Sequence, residues 1–350
     1  MNIYLEYKLK NKRFDVLNYL KGFSIITIVI MHLLPFISGI PSKIITLSAI
    51  GGTGVHVFFL CSGIGLYLSY LNTRVNYIEF IKKRWIKIYI PYIIIVFISF
   101  LSPWMYSDND RVAAFLSHIF MYKMFIPKYE ESFGVQFWYV SSIIQLYLIF
   151  IPMCKIKEKL NNNKIFLIIF LGISVAWWNL CYMLGVSNIR VWSSFCFQYI
   201  WEFALGMVIA DKLVCGKIYR SNLLKLALIA ALGIALQAGL AFYSENLKLF
   251  NDIPALFGYS ALALLLMNIN TIKKICSEIS KISYELFLIH IYIFKTLFLL
   301  FNSNKFIINC MLGIVAVVIS IICAYFYSKF INKYVTLINK GLNIIKQKNI

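Results

Sequence analysis

The chain has 350 residues, 61% of them hydrophobic and only 14% charged, with a mean hydropathy of +0.78. That balance excludes a soluble globular domain. The formal net charge of +20 would suit a nucleic-acid partner. However, the cations are dispersed among short connections between long apolar runs, which excludes a basic binding face.

Ten runs are long and apolar enough to cross a bilayer. They lie near Gly22–Ile37, Thr53–Leu71, Ile86–Ser102, Gln136–Met153, Ile165–Leu184, Val191–Ala210, Leu223–Tyr243, Ile253–Ile269, Ile282–Phe301 and Phe306–Phe330. The expected fold is an all-α integral membrane bundle of about ten transmembrane helices, forming a single domain over residues 1–350. Residues 1–21 and 331–350 are read as basic tails, and residues 103–135 as the longest connection between spans.

Charge sets the orientation. Lys8, Lys10, Lys12, Arg13 and Lys21 precede the first span, and Arg74, Lys82, Lys83, Arg84 and Lys87 follow the second. Lys155, Lys157, Lys159 and Lys164, then Lys212, Lys217 and Arg220, then Lys273, Lys274 and Lys281 mark later even connections. The odd connections are poor in cations. The positive-inside rule therefore puts both termini in the cytoplasm and the 103–135 loop outside. No small-residue cleavage site follows the first run, so a removable signal peptide is not expected. The eight cysteines form neither CxxC pairs nor His/Cys ligand spacings, so no metal site or disulfide framework is expected.

Chemistry concentrates first in Lys21-Gly-Phe-Ser-Ile-Ile-Thr-Ile-Val-Ile-Met-His32. Eleven helical residues are close to three turns, so Lys21 and His32 share a face roughly 16 Å apart. An ionisable group inside a span is costly and marks a candidate functional site; a histidine that simply packs is the other reading. The 103–135 loop, with Asp108, Asp110, His118, Glu130 and Glu131 among aromatics, suits either cover for a sugar-like acceptor or a solvated connection.

Four stretches taken together resemble the acyltransferase-3 family of integral-membrane acyltransferases, which modify cell-surface glycans. Lys21 and His32 keep the family's Arg-x10-His spacing, with Lys in place of Arg. Gly54-Val-His-Val-Phe-Phe-Leu-Cys-Ser-Gly63 is similar to its G-V-x-x-F-F-x-x-S-G stretch. Phe80-Ile-Lys-Lys-Arg-Trp-Ile-Lys-Ile-Tyr-Ile-Pro91 resembles its R-x-x-R-x-x-P segment, with Lys87 replacing the second Arg. Ile282-Ser-Tyr-Glu-Leu-Phe-Leu-Ile-His290 resembles S-Y-x-x-Y-L-x-H. Weaker echoes are Phe137-Trp-Tyr-Val-Ser-Ser-Ile-Ile-Gln-Leu-Tyr147, where Ile143 stands for a Glu found in many members, and Phe203-Ala-Leu-Gly-Met207.

The resemblance implies a membrane O-acyltransferase, of acetyl groups in the first instance, in a bacterial plasma membrane. It would act from cytoplasmic acyl-CoA onto a capsular, exopolysaccharide, lipid-linked or wall glycan. Acyl-CoA is then a co-substrate, with no bound cofactor, and the partners are donor, glycan and bilayer; self-association is left open. His32 is implied as the base on the acceptor hydroxyl, or as a transient acyl carrier, with Glu285 and Tyr284 orienting it or the oxyanion. Lys21, Arg84 and Lys87 would hold the donor phosphates, and Ser62 and Gly63 would leave a slot for the pantetheine arm. Arg84 and Lys87 are equally the charges that topology demands, and Gly63 is equally a packing residue. Trp138, Tyr139, Gln145 and Tyr147 would line the acceptor site, or form an interfacial belt, and His290 would join the acceptor site or serve a structural role. His56 reads as a packing residue. The reading requires a passage from the basic end of the bundle to His32. A transporter or glycan exporter, with His32 and Glu285 as a proton relay, is the competing class, although the halves show no internal repeat.

Overall fold

The computed structural model describes residues 2–5, 15–215 and 219–348. Lys8, Lys10, Lys12, Arg13 and Lys217 of the charge pattern lie outside the described residues. The helices are α1 (Asp15–Leu33), α2 (Ser42–Ser48), α3 (Gly54–Asn72), α4 (Tyr77–Arg84), α5 (Ile90–Leu101), α6 (Arg111–Ile119), α7 (Trp138–Leu160) and α8 (Asn163–Met183). They continue as α9 (Arg190–Ser193), α10 (Cys196–Val214), α11 (Leu223–Tyr243), α12 (Asp252–Leu266), α13 (Asn270–Ile279), α14 (Ser283–Phe301) and α15 (Phe306–Lys348). One short antiparallel pair, Asn2–Leu5 with Tyr219–Asn222, is the exception to an all-α architecture among the described residues.

Among the described residues, ten helical segments are long and apolar enough to cross a membrane, from Asp15–Phe36 to Phe306–Leu337. Several outrun the apolar stretches seen in the sequence. The first begins at Asp15, six residues before Lys21, because backbone hydrogen bonding continues through polar residues once the helix is nucleated. In the same way α15 carries on through Lys348, so the segment read as a tail is helical as far as that residue. Large side chains such as Ile307, Ile314, Phe326, Leu232 and Leu236 are exposed along α15 and α11, where lipid is their natural solvent.

Asparagines punctuate the basic connections. Asn76, Asn162 and Asn222 each cap a helix, their side-chain oxygens accepting free N–H groups at the starts of α4, α8 and α11. Asn161 takes the left-handed conformation that ends α7, so the α7–α8 turn needs only two residues outside the helices.

Small residues set the closest crossings. A Cβ added to Gly63 would lie 2.2 Å from the Phe203 carbonyl oxygen, and one on Gly206 would lie 2.4 Å from that of Leu60. Gly22 meets the Cys276 backbone more closely still, which draws α1 against α13, and α1 also packs on α14. That contact brings the His32 helix beside the His290 helix. Gly63→Ala is expected to force α3 and α10 apart and cost about 1–3 kcal/mol. A lower thermal unfolding midpoint in detergent, with the cavity variants below as controls, measures it.

The connection between α5 and α7 is ordered around two buried polar groups. His118 is inaccessible, with Nδ1 2.6 Å from the Tyr92 hydroxyl and Nε2 2.8 Å from Ser132 Oγ. Ser132 donates to the Tyr129 carbonyl, so it accepts from Nε2–H, and Tyr92 must donate to Nδ1. Burial holds the His118 pKa well below its ordinary value. Lys123 is also fully buried, its Nζ without a hydrogen-bond partner and 5.8 Å from the centre of the Phe137 ring. Burial pushes its pKa down to about 7, against the opposing pull of Glu130 and Glu131 and with a smaller push from Arg190.

Burial favours the neutral form of both groups in the packed loop, and each takes up a proton more readily once it opens, so local stability rises with pH. The His118 contribution is lost as pH falls below about 6.5, the ordinary histidine value, and the Lys123 contribution grows from pH 7 toward about 10.4. Amide exchange across residues 103–135 should therefore be slower, after correction for intrinsic rate, at pH 9 than at pH 6. Lys123→Met should flatten the alkaline part of that dependence.

Candidate active site

Two cavities enter the bundle from opposite faces. The first, about 590 Å³, opens on the basic face and is lined by Lys21, Arg84, Lys87 and Lys281 together with Ser62, Tyr139, Tyr147, Tyr284 and Glu285. The second, about 500 Å³, is lined by His32, His56, Trp138, Arg190, Gln237, Asn251 and Asp252. Phe287 lines both, and among the described residues it is the only side chain they have in common.

The basic cavity owes part of its shape to Pro91. Its ring nitrogen cannot donate to the Lys87 carbonyl one turn back, and residues Trp85–Tyr89 relax into a π turn between α4 and α5. The Ile88 carbonyl in this turn accepts from the Tyr284 hydroxyl at 2.7 Å, and the Pro91 carbonyl accepts from Tyr327 at 2.7 Å. Arg84, just before the π turn, has its guanidinium 5.8 Å from the Phe80 ring centre, while its buried Nε has no hydrogen-bond partner. Glu285 sits by Ser328 and Lys87 in this cavity. Tyr139 and Tyr147 are buried with their hydroxyls toward Ser62.

In the second cavity the proton on His32 can be located by elimination. His290 Nδ1 lies 2.9 Å from the Leu286 carbonyl, which can only accept, so His290 carries its hydrogen there. Its Nε2 is then a bare lone pair. His32 Nδ1 lies 2.9 Å from that atom and must be the donor. The chain of bonds leaves His32 Nε2 unprotonated, on a half-buried ring that lines the cavity. A neutral imidazole held in one tautomer, with its basic nitrogen toward a cavity, is equipped to take a proton from a bound hydroxyl.

The residues singled out in the sequence thus separate into groups. Lys21, Arg84, Lys87 and Ser62 meet in the basic cavity, and His32 and Trp138 in the other. Tyr139 and Tyr147, expected beside the acceptor, stand instead in the basic cavity, because α7 turns that face toward Ser62. Gln145 caps α10, its side-chain oxygen accepting from the Cys196 amide at 3.1 Å. Gly63 lies in the α3–α10 crossing, and Gly65 lines the cavity. His290 is fully buried behind His32 rather than facing an acceptor. Glu285 and Tyr284, expected to orient His32, lie in the basic cavity, with Phe287 between. The two cavities do not merge into the expected passage from the basic end to His32; Phe287, which lines both, packs 5.3 Å from Tyr139 and 6.1 Å from His290 between centroids.

One group was missed. His56 Nδ1 is 2.6 Å from Glu202 Oε1, and its Nε2 faces Asp252 Oδ1 at 3.9 Å. One ligand-type atom from each of the three lies within 4.8 Å of the others. The signal was present in the sequence, since Glu202 is a carboxylate inside a span, next to the Phe203–Met207 stretch.

The fold and its cavities define a multi-pass membrane protein with a cation-lined pocket at one face and a histidine-bearing pocket at the other. The acyltransferase domain model of the acyltransferase-3 family matches residues 14–328, and the chain belongs to that family. No curated protein and no solved structure matches the chain. Membership establishes a membrane acyltransferase. The proton relay of a transporter loses its basis, because His32 and Glu285 occupy different cavities.

Proposed function

We propose that the protein transfers an acyl group, acetyl in the first instance, from acyl-CoA to a hydroxyl of a cell-surface or lipid-linked glycan. The observation that carries this reading is the fixed tautomer of His32, whose free Nε2 faces a cavity on the far side of Phe287 from a pocket of four cations. The basic cavity takes the phosphates and pantetheine arm, with its mouth in the cytoplasm as the positive-inside rule requires. The other cavity takes the sugar. His32 Nε2 removes the proton from the acceptor hydroxyl, whose oxygen attacks the thioester carbonyl. The C–S bond breaks, and the departing thiolate recovers the proton from the imidazolium. Phe287 must swing aside for the thioester to reach the hydroxyl.

Mass spectrometry of envelope glycans from cells with and without the gene tests this reading. The expected result is loss of an acetyl, or other acyl, increment on one glycan and its return with the wild-type gene. Identical glycans in both cells would refute it.

A further inference from the structure

We propose that His56, Glu202 and Asp252 form a second hydroxyl-binding site in the His32 cavity, one that selects which acceptor hydroxyl meets His32. This rests on the glycan-acylation reading above and adds a recognition element to it. Glu202 is wholly buried, and its Oε1 holds His56 Nδ1 at 2.6 Å, which turns Nε2 toward the cavity. Asp252 is held from behind in the same manner, its Oδ2 accepting from Gln198 Nε2 at 2.8 Å. Each cavity-facing atom is thus fixed by a buried partner.

The gap between them leaves room for one ligand atom. Nε2 and Oδ1 stand 3.9 Å apart, too far for a direct hydrogen bond. A single hydroxyl oxygen at about 2.8 Å from each fits between them, accepting from Nε2–H and donating to Asp252 Oδ1, in the tautomer where the wholly buried Glu202 is the neutral donor to Nδ1. Two further oxygens lack donors. Gln237 Oε1 is buried and unpartnered, its Nε2 being committed to Thr53 Oγ1 at 2.7 Å, and Asn251 Oδ1 is likewise buried and unpartnered. Both residues line this cavity. A wall of oriented acceptors without donors matches a polyhydroxylated unit, whose O–H groups supply them. A sugar anchored by one hydroxyl between His56 and Asp252 can offer only certain others to His32.

A divalent cation would also satisfy oxygens, but the short pair argues against it. Two ligands of one ion at about 2.0–2.2 Å each sit roughly 3 Å or more apart, whereas His56 Nδ1 and Glu202 Oε1 are at hydrogen-bonding distance.

The test uses the full chain in lipid nanodiscs, with acetyl-CoA and the host's own envelope glycan stripped of esters by mild base. Asp252→Asn and His56→Gln should each raise the KM for the glycan about tenfold or more while leaving the KM for acetyl-CoA within twofold. Asp252→Glu should recover part of the loss, and a purely structural role would not divide the two constants in this way. Should those variants fold poorly, Asn251→Ala, at the cavity wall, is expected to raise the glycan KM about threefold. Unchanged glycan KM values in folded variants would overturn the proposal. So would activity abolished by a chelator and restored by a divalent metal, which would make this an ion site. Wild-type protein that acylates no glycan would sink the functional reading itself, a result distinct from active enzyme indifferent to Asp252.

Discussion

Replacing His32 with Ala should lower acyl transfer to the glycan about 10³-fold without lowering the amount of folded protein. General-base catalysis contributes roughly 10²–10⁴-fold, and no other imidazole can substitute at the same point. His290 is buried behind His32, and His56 is tied to Glu202. A sharper companion result is expected at His290. His290→Ala removes the acceptor for His32 Nδ1–H, so the ring can rotate or move its hydrogen to Nε2, and the rate should fall about 10–100-fold. His290→Gln offers an amide oxygen to the same N–H and should restore part of that loss. Initial rates of CoA release that depend on added glycan would measure all three variants. A His32→Ala protein within threefold of wild type would remove the base assignment.

The second large effect is expected at Arg84. Its guanidinium lines the basic cavity with Nε buried and unpartnered, so it has unused capacity for an anion. A hydrogen bond to a charged group is worth about 1.5–3 kcal/mol, which corresponds to a 10- to 100-fold weakening of coenzyme A binding in Arg84→Ala. Lys at this position keeps charge but loses the planar fork, and should fall between the two. Calorimetric titration of coenzyme A into the purified protein would read both, and the wild-type affinity should decline with added salt. Equal affinities for Arg84→Ala and wild type would show that the cation serves topology alone.

The ten spans were legible because a bilayer demands long apolar runs, and nothing subtler was needed to find them. The Lys21–His32 face was legible for a similar reason, as helical spacing is a property of the chain alone. What lay beyond reach was the rotation of each helix about its own axis. Tyr139 and Tyr147 read as easily as acceptor residues as they do as lining of the basic pocket, since only packing against α3 decides which way that face of α7 turns. His290 and Glu285 share one motif on one helix, yet Glu285 lines the basic cavity while His290, five residues on, is buried behind His32. The His56–Glu202–Asp252 group joins three separate helices, so no local spacing could announce it. A carboxylate within the apolar run of α10 was the one clue.

Phe287 has a consequence for the cell as well as for the reaction. Acyl transfer that draws one reactant from each side of the bilayer, as proposed above, risks opening a path for protons through it. On the proposed reading, the Phe287 ring shared by the two cavities is what keeps the lipid barrier insulating between turnovers. It could yield to a pantetheine arm that fills the gap as it opens, so that the passage is never vacant and water never spans it.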